Sequence, residues 1–479
     1  MHSRISDDGT SGKTVAEFPI IYYIIGKIWS ITGTQLWIFR LFNALLSIVA
    51  LTCLYKTLLK LTKSWFWSVM GPLLLMASPV YAFYGINFLT NLPALNCVII
   101  AWYFFYRYYT QGKTKDLIWV VLLFTMAGLL KISALTSFMF LLFIFFLDFF
   151  RLAKFKVEGR MFEKRFVAAG LLLLPLLVSG IWYLGFVEYY CNLHFGRYSF
   201  TEPVPAWTLT SEQRKVIWEA FTQFTMHQVY PAYIWFFFLG VMLFLFTQFR
   251  KVNKFWLIAM PLLLIGLASF CILFFFCLDG HDYYLIDVLI FFVFAYAALA
   301  KYITQHYPQE AQSTFVRTIA SLFILYAVMG SGSNIYLRFN GCPPTEKGYR
   351  ELFANKSTIE IMQVMADNHK ARHIYYDIAK ELDRRGFSHN VPVIAINDVS
   401  FNTLLIILDR PGFTNMADVF SDSATTAYRI QRGAQLMLVE QTEHETRGIR
   451  AFMGHKLFQM EQVGVYDLRP YADSVKELQ

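Results

Sequence analysis

Long runs of apolar residues constrain this sequence more than any other feature. One of them, FMFLLFIFFLDFF (Phe138–Phe150), contains one charged residue in thirteen. Only 16% of the 479 residues are charged, whereas about 25% is typical of soluble domains, so a soluble chain could not cover this much apolar surface. Because about 20 apolar residues cross a bilayer as a helix, we predict an α-helical polytopic membrane protein with about ten spans. The predicted spans are Leu36–Leu59, Trp65–Phe83, Leu92–Tyr109, Leu117–Leu130, Ser133–Phe150, Phe166–Phe186, Ala232–Phe249, Phe255–Leu278, Tyr283–Ala300 and Phe315–Leu337.

Lysine and arginine are concentrated in alternate connections between these spans. The positive-inside rule places such connections in the cytoplasm and the poorer ones outside. The rule also explains the formal net charge of +9 without nucleic-acid binding, since no basic run is interleaved with base-stacking aromatics. The basic connections hold Lys56, Lys60 and Lys63, then Lys113 and Lys115, then Arg151 to Arg165, then Arg250, Lys251 and Lys254.

The sequence changes character after Leu337, where charged residues become frequent. The apolar segments VPVIAI and TLLIILD are typical of strands, and TAYRIQRGAQLMLVE is typical of a helix. We therefore predict three parts: an outer-face tail with an interfacial helix (1–34), a transmembrane domain (35–337) and a small extracytoplasmic α/β domain (338–479).

The first 34 residues do not fit a simple topology. The charge rule puts this polar segment outside, yet it has no signal-peptide apolar core. FPIIYYIIGKIWSITG is short for a span and has the aromatic anchors of an interfacial helix. We expect a preceding transmembrane helix to be missing from this sequence, and a native start outside the membrane is the alternative.

Several polar residues gather at the predicted outer ends of the spans. An ionisable residue in an apolar span is costly, so it is a candidate for function. Each type of polar residue also has a non-functional explanation. Lysine and arginine can extend to lipid headgroups, asparagine can cap a helix, histidine can be a solvated loop residue, and tyrosine can anchor the interface. Cations beside hydroxyls and amides suit a lipid-linked phosphate. The candidates are Lys131, Arg40, Asn91, His281, Asp282 and Tyr283.

Four stretches of this sequence resemble, in the same order, motifs of one known group. EFPIIYYIIGKIWSITG, with Arg40 in FRLFNALLS after it, is the first, and LLLMASPVYAFYGINFLTNLPAL is the second. GLLKISAL and GHDYYLIDVLI are the third and fourth. Together they resemble the GT-C membrane glycosyltransferases, specifically the bacterial relatives of the protein O-mannosyltransferases and of the lipid A aminoarabinose transferases.

The resemblance implies transfer of a hexosyl or pentosyl group from a polyprenyl-phosphate donor to an extracytoplasmic lipid, glycan or protein. It implies a bacterial inner (plasma) membrane location, with cationic or divalent-metal assistance for the departing phosphate. Lys131 and His281 would lie by the donor phosphate, with Tyr283 lining the same cleft. Arg40 is the weaker member of this phosphate-binding set and would hold the outer loops, and Asn91 and Asp282 would be further pocket residues. No cofactor is certain, and no cysteine or histidine spacing predicts a zinc site.

The sequence departs from the pattern of this group at the expected general base. The acidic pair of the group lies in a first outer loop, upstream of the stretch that contains Glu17, and that loop has no counterpart here. Glu17 is the weak remaining candidate, and Asn91 stands where many relatives carry aspartate. Two alternatives therefore stay open: a transporter or flippase for lipid-linked sugars, and a degenerate binding protein that keeps the fold without catalysis.

Overall fold

The computed structural model describes residues 15–155, 161–194, 204–343, 345, 347–398, 400, 403–415, 422–440 and 448–474. The chain divides into two compact units. We call Glu17–Gly185 with Thr201–Met365 the membrane unit, and Met1–Ala16, Phe186–Phe200 and Ala366–Gln479 the sheet unit. The domain boundary predicted at residue 338 stays a prediction, because a division into compact units does not show where the chain leaves the membrane.

Helices build the membrane unit. The first eight are α1 (Ile20–Thr32), α2 (Leu36–Thr62), α3 (Trp65–Met76), α4 (Pro79–Tyr84), α5 (Asn91–Gln111), α6 (Thr114–Leu130), α7 (Thr136–Phe149) and α8 (Arg165–Gly180). After α9 (Glu188–His194), which belongs to the sheet unit, follow α10 (Ser211–Ala220), α11 (Met226–Val229), α12 (Ala232–Thr247), α13 (Lys254–Leu273), α14 (Leu289–His306), α15 (Pro308–Gln312), α16 (Thr314–Asn340) and α17 (Lys347–Arg350). Helix α18 (Lys356–Ala371) crosses the boundary between the units.

The chain is a multi-pass α-helical membrane protein. Within the described ranges six helical segments are long and apolar enough to cross a membrane, and a seventh is formed if the pair bent by 80° before α12 counts as one span. The predicted count of about ten is not confirmed. One reason lies in Trp65–Phe83, predicted as a single span, which breaks into α3 and α4 at Ser78 before Pro79. Proline removes a helical N–H and disfavours the helical conformation of the residue before it.

Helix α14 is the centre of the membrane unit. Within its candidate span, Asp282–His306, 83% of an apolar 18-residue window is buried, whereas the corresponding share in the other candidate spans is at most 44%. Small residues such as Ala295 and Ala300 let neighbouring helices approach it closely. Residues 289–298 of α14 are buried throughout, and its two ends carry the features described below.

The sheet unit has the predicted α/β character. Its five strands are β1 (Val393–Ala395), β2 (Gly412–Thr414), β3 (Leu436–Glu440), β4 (Lys456–Met460) and β5 (Val463–Asp467), in the order β2-β1-β3-β5-β4. Strands β2, β1 and β3 are parallel, and β5 and β4 continue the sheet as an antiparallel hairpin. Helices α19 (Ile374–Arg384), α20 (Thr403–Leu408) and α21 (Ser423–Gln431) contribute to its cores.

Two assignments in this unit were wrong. TLLIILD, predicted as a strand, is helix α20: Leu404, Leu405 and Leu408 are buried at helical spacing while Ile406 is 47% exposed. TAYRIQRGAQLMLVE, predicted as one helix, ends as α21 before Gly433 and continues as strand β3. Gly433 has φ +96°, a conformation that favours glycine and ends the helix.

Candidate functional site

The connection between α13 and α14 is the centre of the candidate site. It consists of two 3-10 turns, Phe275–Leu278 and Asp282–Val288. Gly280 lies between them with φ +70°, and no atom lies within 4 Å of the position a Cβ would take. The glycine is therefore required by the backbone conformation rather than by close packing. The turn presents His281, Asp282, Tyr283 and Tyr284 in succession.

Asp282 is held in a buried ion pair. Its Oδ2 accepts from Arg338 Nη2 of α16, and its Oδ1 accepts from the Tyr84 hydroxyl of α4 at 2.8 Å. The side chains of Asp282 and Arg338 are only 4% and 11% exposed. The Arg338 guanidinium also lies 4.2 Å from the centroid of the Phe83 ring. Asp282, predicted as a pocket residue, thus fastens the second 3-10 turn to α4 and α16.

Lys131 lies at the C-terminal end of α6, where the backbone leaves the helix in an extended conformation. Its Nζ is 3.4 Å from Glu17 Oε1 and 4.5 Å from the centroid of the Tyr284 ring. The Lys131 side chain is 14% exposed and that of Glu17 is 32% exposed. The Lys131 ammonium is thus partly desolvated and lies between a carboxylate and an aromatic face, both of which stabilise its positive charge.

The end of α6 also explains why Glu17 is there. The last carbonyls of a helix have no partner within it. Here the Leu129 carbonyl accepts from the backbone N–H of Phe18 at 2.8 Å and from the Tyr183 hydroxyl at 3.1 Å. The Phe18 ring packs edge-on against Trp182, with centroids 4.8 Å apart. These contacts fix Glu17, the residue before Phe18, beside Lys131.

His281, Tyr283 and Tyr284 form an aromatic group next to Lys131. The ring centroids of Tyr283 and Tyr284 are 4.7 Å apart, and the His281 ring lies 5.7 Å from Tyr283 and 6.1 Å from Tyr284. Asn91, the first residue of α5, donates its Nδ2–H to the Tyr283 carbonyl at 3.0 Å. The structure therefore brings Lys131, His281, Tyr283 and Asn91 into one neighbourhood.

Asp287 is an acidic residue of this neighbourhood that the sequence reasoning missed. Its Oδ2 accepts from the Ser133 hydroxyl at 2.5 Å, and Lys131 is close enough to interact with it electrostatically. Its Oδ1 is buried, with no hydrogen-bond partner in the described part of the chain. The signal was available, because an aspartate inside the apolar run LIDVLI is a candidate by the same rule that selected Lys131.

Arg40 lies apart from this group. It is exposed, and its guanidinium lies 5.5 Å from the ring centroid of Phe88 in the segment between α4 and α5. The same ring packs against Phe39, with centroids 5.2 Å apart. Arg40 therefore contacts the segment between α4 and α5, and its predicted place among the phosphate-binding residues stays a prediction.

Across the described ranges, no three His, Cys, Asp or Glu side chains are grouped so that they could hold a metal ion. Two described cations lie at the site: Arg338 is paired with Asp282, and Lys131 contacts Glu17 and lies near Asp287.

Comparison with known proteins supplies the fold. The family described as Dolichyl-phosphate-mannose-protein mannosyltransferase matches residues 16–183. The crystal structure of ArnT from Cupriavidus metallidurans bound to undecaprenyl phosphate matches with a TM-score of 0.55 and 10% identity, over 98% of this chain and 95% of that one. Its apo state matches with a TM-score of 0.54 and 11% identity, over 96% and 89%. The chain has an ArnT-like GT-C fold. The predicted resemblance is confirmed.

A third solved structure is less similar to this GT-C fold. The archaeal oligosaccharyltransferase AglB from Archaeoglobus fulgidus, in complex with an inhibitory peptide and a dolichol-phosphate, matches with a TM-score of 0.47 and 12% identity, over 88% of this chain and 61% of that one. No curated protein sequence matches the chain. The family match and the ArnT-like fold support a membrane glycosyltransferase in general.

The family match and the GT-C fold cover different parts of the candidate site. Glu17, Arg40, Asn91 and Lys131 lie within the matched residues 16–183. The turn that carries His281 to Tyr284 lies outside that segment and is covered by the structural likeness to ArnT alone. The contact between Lys131 and Tyr284 joins the two parts.

Proposed function

We propose that this protein is an integral-membrane glycosyltransferase that moves a sugar from a polyprenyl-phosphate donor to an extracytoplasmic acceptor. The observation that carries the proposal is the position of the Lys131 ammonium, between the Glu17 carboxylate and the Tyr284 ring. A cation, a carboxylate and an aromatic surface at one place supply what this transfer needs.

The donor phosphate would bind at Lys131. Lysine offers a compact charge to phosphate oxygens, and the departing lipid phosphate gains negative charge as its bond to the sugar breaks. A cation already fixed at that position stabilises the transition state more than the ground state. His281 and Tyr283, within the same aromatic group, would contact the phosphate or the sugar.

The acceptor hydroxyl must lose a proton as its oxygen bonds to the anomeric carbon. The bond from that carbon to the phosphate oxygen breaks, and the lipid phosphate leaves with the bonding electron pair. Glu17 would accept the proton as general base. The donor phosphodiester carries one negative charge and competes with the Glu17 carboxylate for the Lys131 ammonium, so donor binding would release Glu17 for this role.

Topology supports an extracytoplasmic site. Helix α6 has Lys113 and Lys115 at its start and Lys131 at its end, so the site lies at the end opposite these basic residues. By the positive-inside rule this end faces away from the cytoplasm. The proposed location is the bacterial inner membrane, with the sheet unit outside. The ArnT structure with undecaprenyl phosphate supports a lipid of this class as the partner.

The test is transfer activity in membranes, with a radiolabelled polyprenyl-phosphate sugar as donor. Lys131→Ala and His281→Ala should each lose at least tenfold in activity at unchanged expression and insertion, since removing one group that stabilises developing charge costs about 10²–10³. Lys113→Ala, an exposed lysine before the other end of α6, is the matched control and should keep full activity. Full activity in both site variants would overturn the assignment.

A further inference from the structure

A cavity of about 470 Å³ extends along α14 away from the Lys131 site. Its wall on α14 runs from Ile290 to His306, which corresponds to about 24 Å at 1.5 Å per residue. The opposite walls come from α2, α5 and the start of α13. The volume lies within the range of about 300–1,000 Å³ that is usual for ligand pockets. The cavity is therefore long and has two different ends.

One end of the cavity is positively charged. Lys251, in the turn before α13, and Lys301 of α14 both line it, together with His306. Lys63 is close enough to repel Lys301 electrostatically. No Asp or Glu is among the described lining residues, and no ion pair of Lys251 or Lys301 is found in the described ranges. An anion bound at Lys301 would offset its repulsion by Lys63.

The rest of the cavity is apolar and aromatic. Trp102 packs against Phe294 with centroids 4.8 Å apart, and Phe255 lies stacked beside Phe294 at 6.5 Å. Toward the other end the α14 wall consists of Val293 and Ile290. The Tyr302 hydroxyl, near the basic end, already donates to Gln248 at 3.1 Å. The described walls thus suit a hydrocarbon chain, and the lysines suit its anionic head.

We propose that this cavity binds one anionic phospholipid, with its phosphate head between Lys251 and Lys301 and one acyl chain along α14. The acyl chain gains little binding free energy by moving from the bilayer into the cavity, because lipid tails are as apolar as the cavity wall. The preference must therefore come from the head, and lysine near a membrane surface favours anionic lipid. This site is separate from the proposed donor site and does not depend on the proposed function.

The experiment is native mass spectrometry of the full chain in detergent, titrated with phosphatidylglycerol or with phosphatidylcholine of the same acyl chains. The wild-type protein should retain phosphatidylglycerol at least tenfold more strongly. Lys251→Gln/Lys301→Gln should weaken phosphatidylglycerol binding by about fivefold per charge removed. The matched control, Lys56→Gln/Lys60→Gln, removes two exposed lysines from the same end of α2 and should bind as the wild type does.

A third arm adds inorganic phosphate, which has the charge of the head without the chain. Failure of excess phosphate to displace the bound lipid supports a lipid site. Displacement by phosphate alone would mean an ion site and overturn the proposal. Equal retention of the two lipids, or equal binding by the cavity and control variants, would also overturn it.

Discussion

The buried pair of Asp282 and Arg338 gives the sharpest prediction about stability. Arg338→Met keeps a long side chain with good helix propensity but removes the charge, so Asp282 stays buried with the Tyr84 hydroxyl as its remaining side-chain partner. Removing one partner of a buried ion pair costs about 3–5 kcal/mol. Because both side chains are almost completely buried, solvent screening reduces this free-energy cost only slightly.

The assay is thermal unfolding of the purified protein in detergent. At roughly 2 °C per kcal/mol for a large chain, the apparent Tm of Arg338→Met should fall by about 6–10 °C. The matched control is Lys356→Gln, which breaks an exposed pair with Glu360 whose side chains are 75% and 64% exposed. Such exposed pairs contribute about 0.3–0.5 kcal/mol, so the control should shift Tm by about 1 °C or less.

A double-mutant cycle separates the pair from packing effects. Asp282→Asn/Arg338→Met carries no unpaired charge. Its loss in free energy of unfolding should therefore be about 2 kcal/mol smaller than the sum of the losses in the two single variants. If Arg338→Met melts with the Lys356→Gln control, or if the double variant is simply additive, the structural role of the pair is refuted.

Further predictions concern the base and the sheet unit. Glu17→Gln should lower transfer by about 10²–10⁴, as expected for loss of a general base, while Glu163→Gln, at an exposed carboxylate, should leave it unchanged; wild-type activity in Glu17→Gln would assign the base elsewhere. Asp422 caps α21 by accepting from the Thr425 backbone N–H at 2.6 Å, and this bond lowers the pKa of its carboxyl. Asp422→Ala should speed hydrogen exchange of α21 amides by an amount equivalent to roughly 0.5–1 kcal/mol. Because the pKa of Asp422 is lower in the folded state, the ionised cap stabilises α21 above the unfolded-state pKa. The difference in exchange rate between variant and wild type should therefore disappear as the pH falls through the folded-state pKa. A difference that persists at the lowest pH would contradict this.

The grouping of site residues was predictable because helix ends on one side of a membrane meet. Lys131 follows α6, Asn91 begins α5 and His281 precedes α14. The alternation of basic and non-basic connections along the chain predicted that all three lie on the same side of the membrane. Their hydrogen bonds were not predictable. The Asp282–Arg338 pair and the docking of Phe18 on Leu129 join residues 56 and 111 positions apart, and no local pattern selects such partners.

The wrong assignment of TLLIILD in the sheet unit also arose because a local sequence pattern does not show the tertiary contacts of a segment. Strand β1 was predictable from VPVIAI, because a short β-branched run between turn residues is buried on both faces of a sheet. TLLIILD is also a short apolar segment, but only one of its faces packs against the sheet core. An apolar run of five residues does not by itself distinguish a strand from a buried helix.

The most direct test of the central claim is the affinity of the purified protein for undecaprenyl phosphate, measured for the wild type, Lys131→Ala and the Lys113→Ala control. The account predicts that Lys131→Ala binds at least tenfold more weakly, since a charge-assisted bond to phosphate contributes about 1.5–3 kcal/mol, and that Lys113→Ala binds as the wild type does. Equal affinity for all three proteins would contradict the claim that Lys131 holds the donor phosphate.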